Sequence, residues 1–162
     1  MSMNIQKAFT DMPLGEKIMV IAAPLFFIVS FFPWFKYDLG IGSVTKTGWS
    51  GDFSFLTIIA TLLALALFGG IVAMRLFNVK MPTLPEGFTW ARIDLGVAVY
   101  IALAVLIRLL MGESAGSGDF SVDADMQFGI WIAAIIAAAL VVGAGLIFQA
   151  ERQGGGSSTT SM

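Results

Sequence analysis

The chain has 162 residues, 57% of them hydrophobic and only 12% charged, with a mean hydropathy of +0.87. Soluble domains run nearer a quarter charged, and a domain of this size cannot hide so much apolar surface from water, so lipid is the solvent this composition requires. A net charge of −2 excludes the basic face that nucleic acid demands. The absence of cysteine and histidine removes disulfides, thiolate metal sites, thiol nucleophiles and imidazole-ligated haem.

The pattern predicts an all-α membrane protein, a four-transmembrane-helix bundle. Residues 1–17 form an N-terminal arm in which Ile5, Phe9 and Met12 recur at helical spacing. A short helix on the membrane surface and an unstructured arm both fit it. Residues 18–152 form the membrane domain. Its first span covers about 18–35, between Lys17 and Lys36, which at about 1.5 Å per residue just crosses the hydrocarbon. The stretch exceeds a usual signal-peptide core and lacks an A-x-A-like site, so it reads as a retained helix, kinked at Pro24 and able to end at Pro33.

The second span covers about 53–74, between Asp52 and Arg75, with no charge inside. The third covers 95–111, after Asp94, with Arg108 near its far end. The fourth covers 128–150, is rich in alanine, and stops at Glu151-Arg152. The loop from Arg75 to Asp94 holds Pro82, Pro85 and Gly87 and reads as irregular. Residues 153–162, rich in glycine and serine, form a flexible tail.

Four spans put both termini and the middle loop on one side, with Lys7, Lys17, Arg75, Lys80, Arg92 and Arg152. The other side carries Lys36, Lys46 and Arg108. Basic residues favour the cytoplasmic face, which predicts cytoplasmic termini and a multi-pass protein of the cell membrane.

The two outer loops alternate apolar and polar residues. Phe35 to Leu39 and Val44 to Thr47 flank Gly40-Ile41-Gly42, a hairpin signal, and Phe120, Val122, Ala124 and Met126 alternate with Ser121, Asp123 and Asp125. A small three-stranded β-rich cap over the outer end of the bundle and two irregular loops are the competing readings. Aromatic residues crowd both membrane boundaries as an interfacial belt.

Few residues carry chemistry. Arg108 is the only charge inside a span, and an intramembrane ionisable group is a functional hypothesis in its own right. It sits three residues from the outer helix end, so snorkelling to the interface, with or without a pair to Glu113, is the preferred account. Ser30, Thr57, Thr61 and Tyr100 read as packing features. Glu113, Asp119, Asp123 and Asp125 form an acidic outer-surface cluster, read as solvated, with cation binding as the alternative; the spacing is not that of an EF-hand loop.

Small residues recur four apart: Ala60 and Ala64, and Ala66 and Gly70, in the second span; Ala133 and Ala137, Ala134 and Ala138, and Ala139 and Gly143 in the fourth. Such stripes let helix backbones approach closely, and they predict contact between the second and fourth spans. No catalytic, cofactor-binding or metal-ligating residue emerges, and no cofactor is expected.

Four pieces of the chain form a recognisable series. They are Gly15-Glu16-Lys17 before a helix ending Phe31-Phe32-Pro33-Trp34-Phe35; Gly48-Trp49 before the second span; Leu106-Ile107-Arg108-Leu109-Leu110; and Gly129-Ile130-Trp131 followed by Gly143-Ala144-Gly145. Over residues 15–152 this series resembles a widespread group of small four-helix membrane proteins of high-GC Gram-positive bacteria. The resemblance implies fold and topology and brings no site with it. The layout also looks like that of the claudin tetraspans, whose first-loop cysteine pair is absent here.

The functional expectation is therefore a non-enzymatic structural or accessory protein, whose partners are the lipid bilayer and either a second copy of itself or another membrane protein. A small channel or a holin-like permeabilising protein is the alternative, and an enzyme acting on lipid ranks last.

Overall fold

The computed structural model describes residues 5–115 and 122–154. Two helices, α1 (Ile5–Asp11) and α2 (Leu14–Val29), lead into a hairpin of β1 (Pro33–Asp38) and β2 (Ser43–Thr47). Then come α3 (Ser54–Leu76), α4 (Trp90–Met111), the short strands β3 (Ser114–Ala115), β4 (Val122–Asp123) and β5 (Asp125–Met126), and finally α5 (Phe128–Gly154). The helices α3, α4 and α5, of 23, 22 and 27 residues, are long and apolar enough to cross a membrane. The chain is mostly helical with a small sheet, and it is not a plain bundle of four equal spans.

The departure lies in the first apolar segment. Its helix starts at Leu14, not Ile18, and ends at Val29, not Phe35, with only 16 residues. Pro33 explains the early end. Proline has no N–H to continue the helix, and it drives the preceding residue out of the helical region. The last turn closes with Phe31 and Phe32 donating to the carbonyls of Ile28 and Val29. Trp34 and Phe35, expected at a lipid-facing helix end, stand instead on β1 and are fully buried.

The four longer helices form a ring: α2 packs on α3 and α5, and α4 packs on the same two. The contact expected between the second and fourth predicted spans is not made: α3 and α5 lie diagonally across the ring. The small residues serve other contacts. Gly143 of α5 meets Gly15 of α2 so closely that a Cβ on Gly143 would stand 2.9 Å from the Gly15 carbonyl oxygen. Ala60, Ala64, Ala133 and Ala137 are buried in the ring, Ala134 is half-buried, and Ala138 faces outward. Leu140 of α5 lies wholly in the core.

At one end the ring carries a three-stranded antiparallel sheet in the order β2-β1-β5. The hairpin pairs Tyr37 with Val44 and Asp38 with Ser43, and β1 pairs Phe35 with Met126. The cap reading of the outer loops is the one observed. Its third segment is not one strand: the chain breaks at Ala124, so β4 pairs with β3 and β5 with β1. Within the N-terminal arm Ile5–Asp11 is helical and packs on α3.

Candidate functional site

The sheet and the ends of α3 and α4 enclose the one buried charge cluster among the described residues. Arg108 lies in the last turn of α4, and its side chain is 1% exposed. Snorkelling therefore does not occur. The reason is the cap: the end of α4 that the sequence points towards water is covered by β1. The rings of Trp34 and Phe35 stand 5.4 and 5.2 Å from the guanidinium carbon. Helical side chains also lean towards the N-terminus, which carries this stem down into the bundle.

The charge is met by fixed acceptors. Nη1 donates to the Gly48 carbonyl at 2.9 Å and to Thr57 Oγ1 at 3.3 Å; Nη2 donates to the Ser50 carbonyl at 3.0 Å and to Glu113 Oε1 at 2.5 Å. Gly112, at φ +63°, ends α4 and turns the chain so that Glu113 returns beneath the helix. The second carboxylate oxygen, Oε2, accepts from the Tyr37 hydroxyl at 2.8 Å. Burial first, and then the hydrogen bond to Glu113, push the Tyr37 hydroxyl well above the ordinary tyrosine range. Gly51, at φ +91°, lies flat against the Glu113 carboxylate, where any Cβ would overlap it.

A second polar layer adjoins the first. The Trp49 indole donates to Ser30 Oγ at 2.8 Å, and Ser30 Oγ donates to the Phe27 carbonyl at 2.5 Å. Thr61 donates back to the Thr57 carbonyl at 2.7 Å. These are packing roles, as the sequence reading has them. Tyr100 makes no side-chain hydrogen bond among the described residues and bridges no helices.

The acidic cluster read from the sequence does not assemble. Glu113 is turned inward onto Arg108, Asp123 and Asp125 are exposed, and Asp119 lies outside the described residues. Among the described residues no three acidic groups come together as a metal site would require.

Chemically, the cluster is saturated. Both Glu113 oxygens are engaged, the Tyr37 proton is held, and of the Arg108 donors only Nε lacks a protein acceptor. With these groups engaged on one another, the cluster ties the sheet, the loop ahead of α3 and the end of α4 together. The pair to Glu113 was readable beside snorkelling, but its burial and the part of Tyr37 were not, because Tyr37 lies 76 positions from Glu113. The available signal was the glycine pair Gly48 and Gly51, ahead of the second span, facing a lone intramembrane arginine. Searches against family models, curated proteins and solved structures find no match for this chain.

Proposed function

We propose that the chain is a four-span integral protein of the cell membrane, with cytoplasmic termini and no enzymatic activity. It acts as a structural or accessory subunit, packing with itself or with a larger membrane complex. The observation that carries this reading is the sealed interior. From Arg108 to the opposite end, the space between the four helices is filled by Ala60, Ala64, Ile101, Ala104, Ala137 and Leu140, all buried. A path for ions or water needs polar lining along the axis, and among the described residues the buried polar side chains, Ser30, Thr57, Thr61, Arg108 and Glu113, gather towards the capped end.

The remaining span, first in chain order, is α2. It packs on α5, with Gly15 against Gly143, and on α3, and the residue after its end, Ser30, meets Gly48 ahead of α3, so it occupies the same layer as the longer helices. Sixteen residues give about 24 Å. Its outward residues Ile21, Leu25 and Ile28 form an exposed apolar stripe suited to lipid. The inward turn of Arg108 leaves only Lys36 and Lys46 on the capped side against six basic residues on the other, which supports cytoplasmic termini.

The test is reconstitution beside native purification. Liposomes carrying the protein should leak no faster than empty ones, and the protein should co-purify with itself or with a defined membrane partner. Leakage that rises with protein content would replace this reading with the permeabilising one.

A further inference from the structure

At the end of the ring away from the cap, α3 and α4 leave a groove of 190 Å³ between them. The small residues Ala66 and Gly70 of α3 make the room, and Met81 from the following loop closes over it, within 3.4 Å of where a Gly70 Cβ would stand. Leu67 and Ile71 supply an apolar wall. Two residues break that apolar character: Trp90 and Asp94, on the first turns of α4. The Trp90 indole N–H donates to the Pro82 carbonyl at 3.2 Å, which fixes the ring.

Asp94 is the unusual member. Among the described residues no donor bonds its carboxylate and no cation pairs with it, although basic residues are close in sequence. Arg92 is turned to the Gly87 carbonyl, and Arg75 is held by both oxygens of Glu16, each at 2.7 Å. A half-buried carboxylate in an apolar groove repels anions, and a neutral guest would leave it unpaired. A positive nitrogen satisfies it, and a fixed aromatic ring beside a carboxylate is the pairing by which ammonium groups are recognised.

We propose that this groove is a binding site for a small lipophilic ammonium cation, held by Asp94 and Trp90 with its apolar body along α3. The volume falls below the roughly 300–1,000 Å³ of drug-sized sites, which limits the guest to about one ring and a compact cationic head. The ligand reaches the groove from the membrane, into which its apolar body partitions.

The test is equilibrium dialysis of benzyltrimethylammonium against the native chain in non-ionic micelles, beside neopentylbenzene, in which carbon replaces the charged nitrogen. The cation should bind saturably, one per chain, and the neutral isostere at least about tenfold more weakly. Asp94→Asn, and Gly70→Phe to fill the groove, should each remove that binding. Asp123→Asn, an equal charge change on an exposed residue at the capped end, should leave it intact. Equal binding of the isostere would mean an apolar groove for lipid chains only, and would overturn the proposal. So would retention of binding in Asp94→Asn, or the absence of saturable binding. The comparison of cation and isostere uses the native chain, so it decides the matter even if a variant fails to fold.

Discussion

Arg108 and Glu113 stand five residues apart on either side of the end of α4 and form an ion pair of 2.5 Å with both side chains out of contact with solvent. Through the same guanidinium, α4 is tied to the carbonyls of Gly48 and Ser50, and through the same carboxylate to Tyr37 on β1. One pair therefore fastens the sheet, the loop ahead of α3 and the end of α4 together. The cap in turn excludes the water to which Arg108 would otherwise reach.

The first prediction tests that interdependence. Removing one partner of a buried pair strands the other, at a cost of about 3–5 kcal/mol. Arg108→Leu should lower thermal stability in detergent by an amount of that order. Arg108→Lys should lower it nearly as much, because an ammonium cannot serve Gly48, Ser50 and Glu113 from one plane. The double variant Arg108→Leu with Glu113→Leu should recover much of the loss, since apolar replacement of a whole buried pair is often neutral. Native stability in Arg108→Leu would return the residue to the membrane interface.

Glycines offer a sharper contrast, because two with opposite surroundings can be compared. Gly51 combines φ +91° with contact against the Glu113 carboxylate. Gly96 lies inside α4 with nothing within 4 Å of its missing Cβ. Gly51→Ala should therefore cost at least about 1–3 kcal/mol from strain alone. Gly96→Ala should stabilise by roughly 0.5–1 kcal/mol through helix propensity. Thermal unfolding of the two variants side by side checks both signs, and a shift in the same direction for both would refute the assignment.

Much of the architecture was legible in the residues. The helices α3 and α5 follow from uninterrupted apolar runs bounded by charge, α4 from a run broken by Arg108 that begins earlier than expected, at Trp90, and the hairpin from alternation around Gly40-Ile41-Gly42. What failed shares one cause: hydropathy does not say whether lipid or protein covers an apolar residue. Trp34 and Phe35 read as a membrane-facing helix end, yet Pro33 puts them on a strand where they cover Arg108. The Ala134–Ala138 stripe has the same spacing as Ala133–Ala137, and only the second is buried. The candidate site was the least legible part. The contact between Tyr37 and Glu113 spans 76 positions, and no local spacing encodes it.

The Gly15–Gly143 contact yields the third prediction. A leucine at 143 would have to displace the backbone of α2 as well as Met19, whose Cγ stands 2.9 Å from the Cβ position. Gly143→Leu should separate α2 from α5 and lower the unfolding temperature strongly, as overpacking against backbone does. Ala138→Leu, one turn earlier on the exposed face, should change little in the isolated protein. Leu140→Ala should cost about 2–5 kcal/mol, because the side chain is fully buried. Equal stability for Gly143→Leu and Ala138→Leu would mean that α2 does not pack closely on α5.

Orientation in the membrane can be read with single cysteines, since the native chain has none. Ser43, at the start of β2, and Thr83, in the loop between α3 and α4, are both exposed and lie at opposite ends of the ring. Ser43→Cys should react with an impermeant thiol reagent on whole cells, and Thr83→Cys only after lysis. The reverse pattern would invert the topology inferred from the basic residues.

The last prediction concerns Tyr37 and pH. Its hydroxyl donates to a buried carboxylate, and burial with that bond raises its pKa above the ordinary value near 10. Below about pH 10 both folded and unfolded chains keep the proton, so the full contribution of the bond is present. Above it the unfolded chain ionises while the folded one does not, so this contribution falls as pH rises towards the folded value. Tyr37→Phe removes the group from both states. At pH 7 the variant should be less stable by about 1.5–3 kcal/mol, the range for a hydrogen bond to a charged partner. The gap between native chain and variant should then narrow steadily above pH 10, because every other titrating group is common to the two. Unfolding free energies measured at stepped alkaline pH, subtracted pairwise, isolate that difference. A gap that stays constant well above pH 10 would mean that Tyr37 ionises at its ordinary value, and that its hydroxyl is not sealed against Glu113.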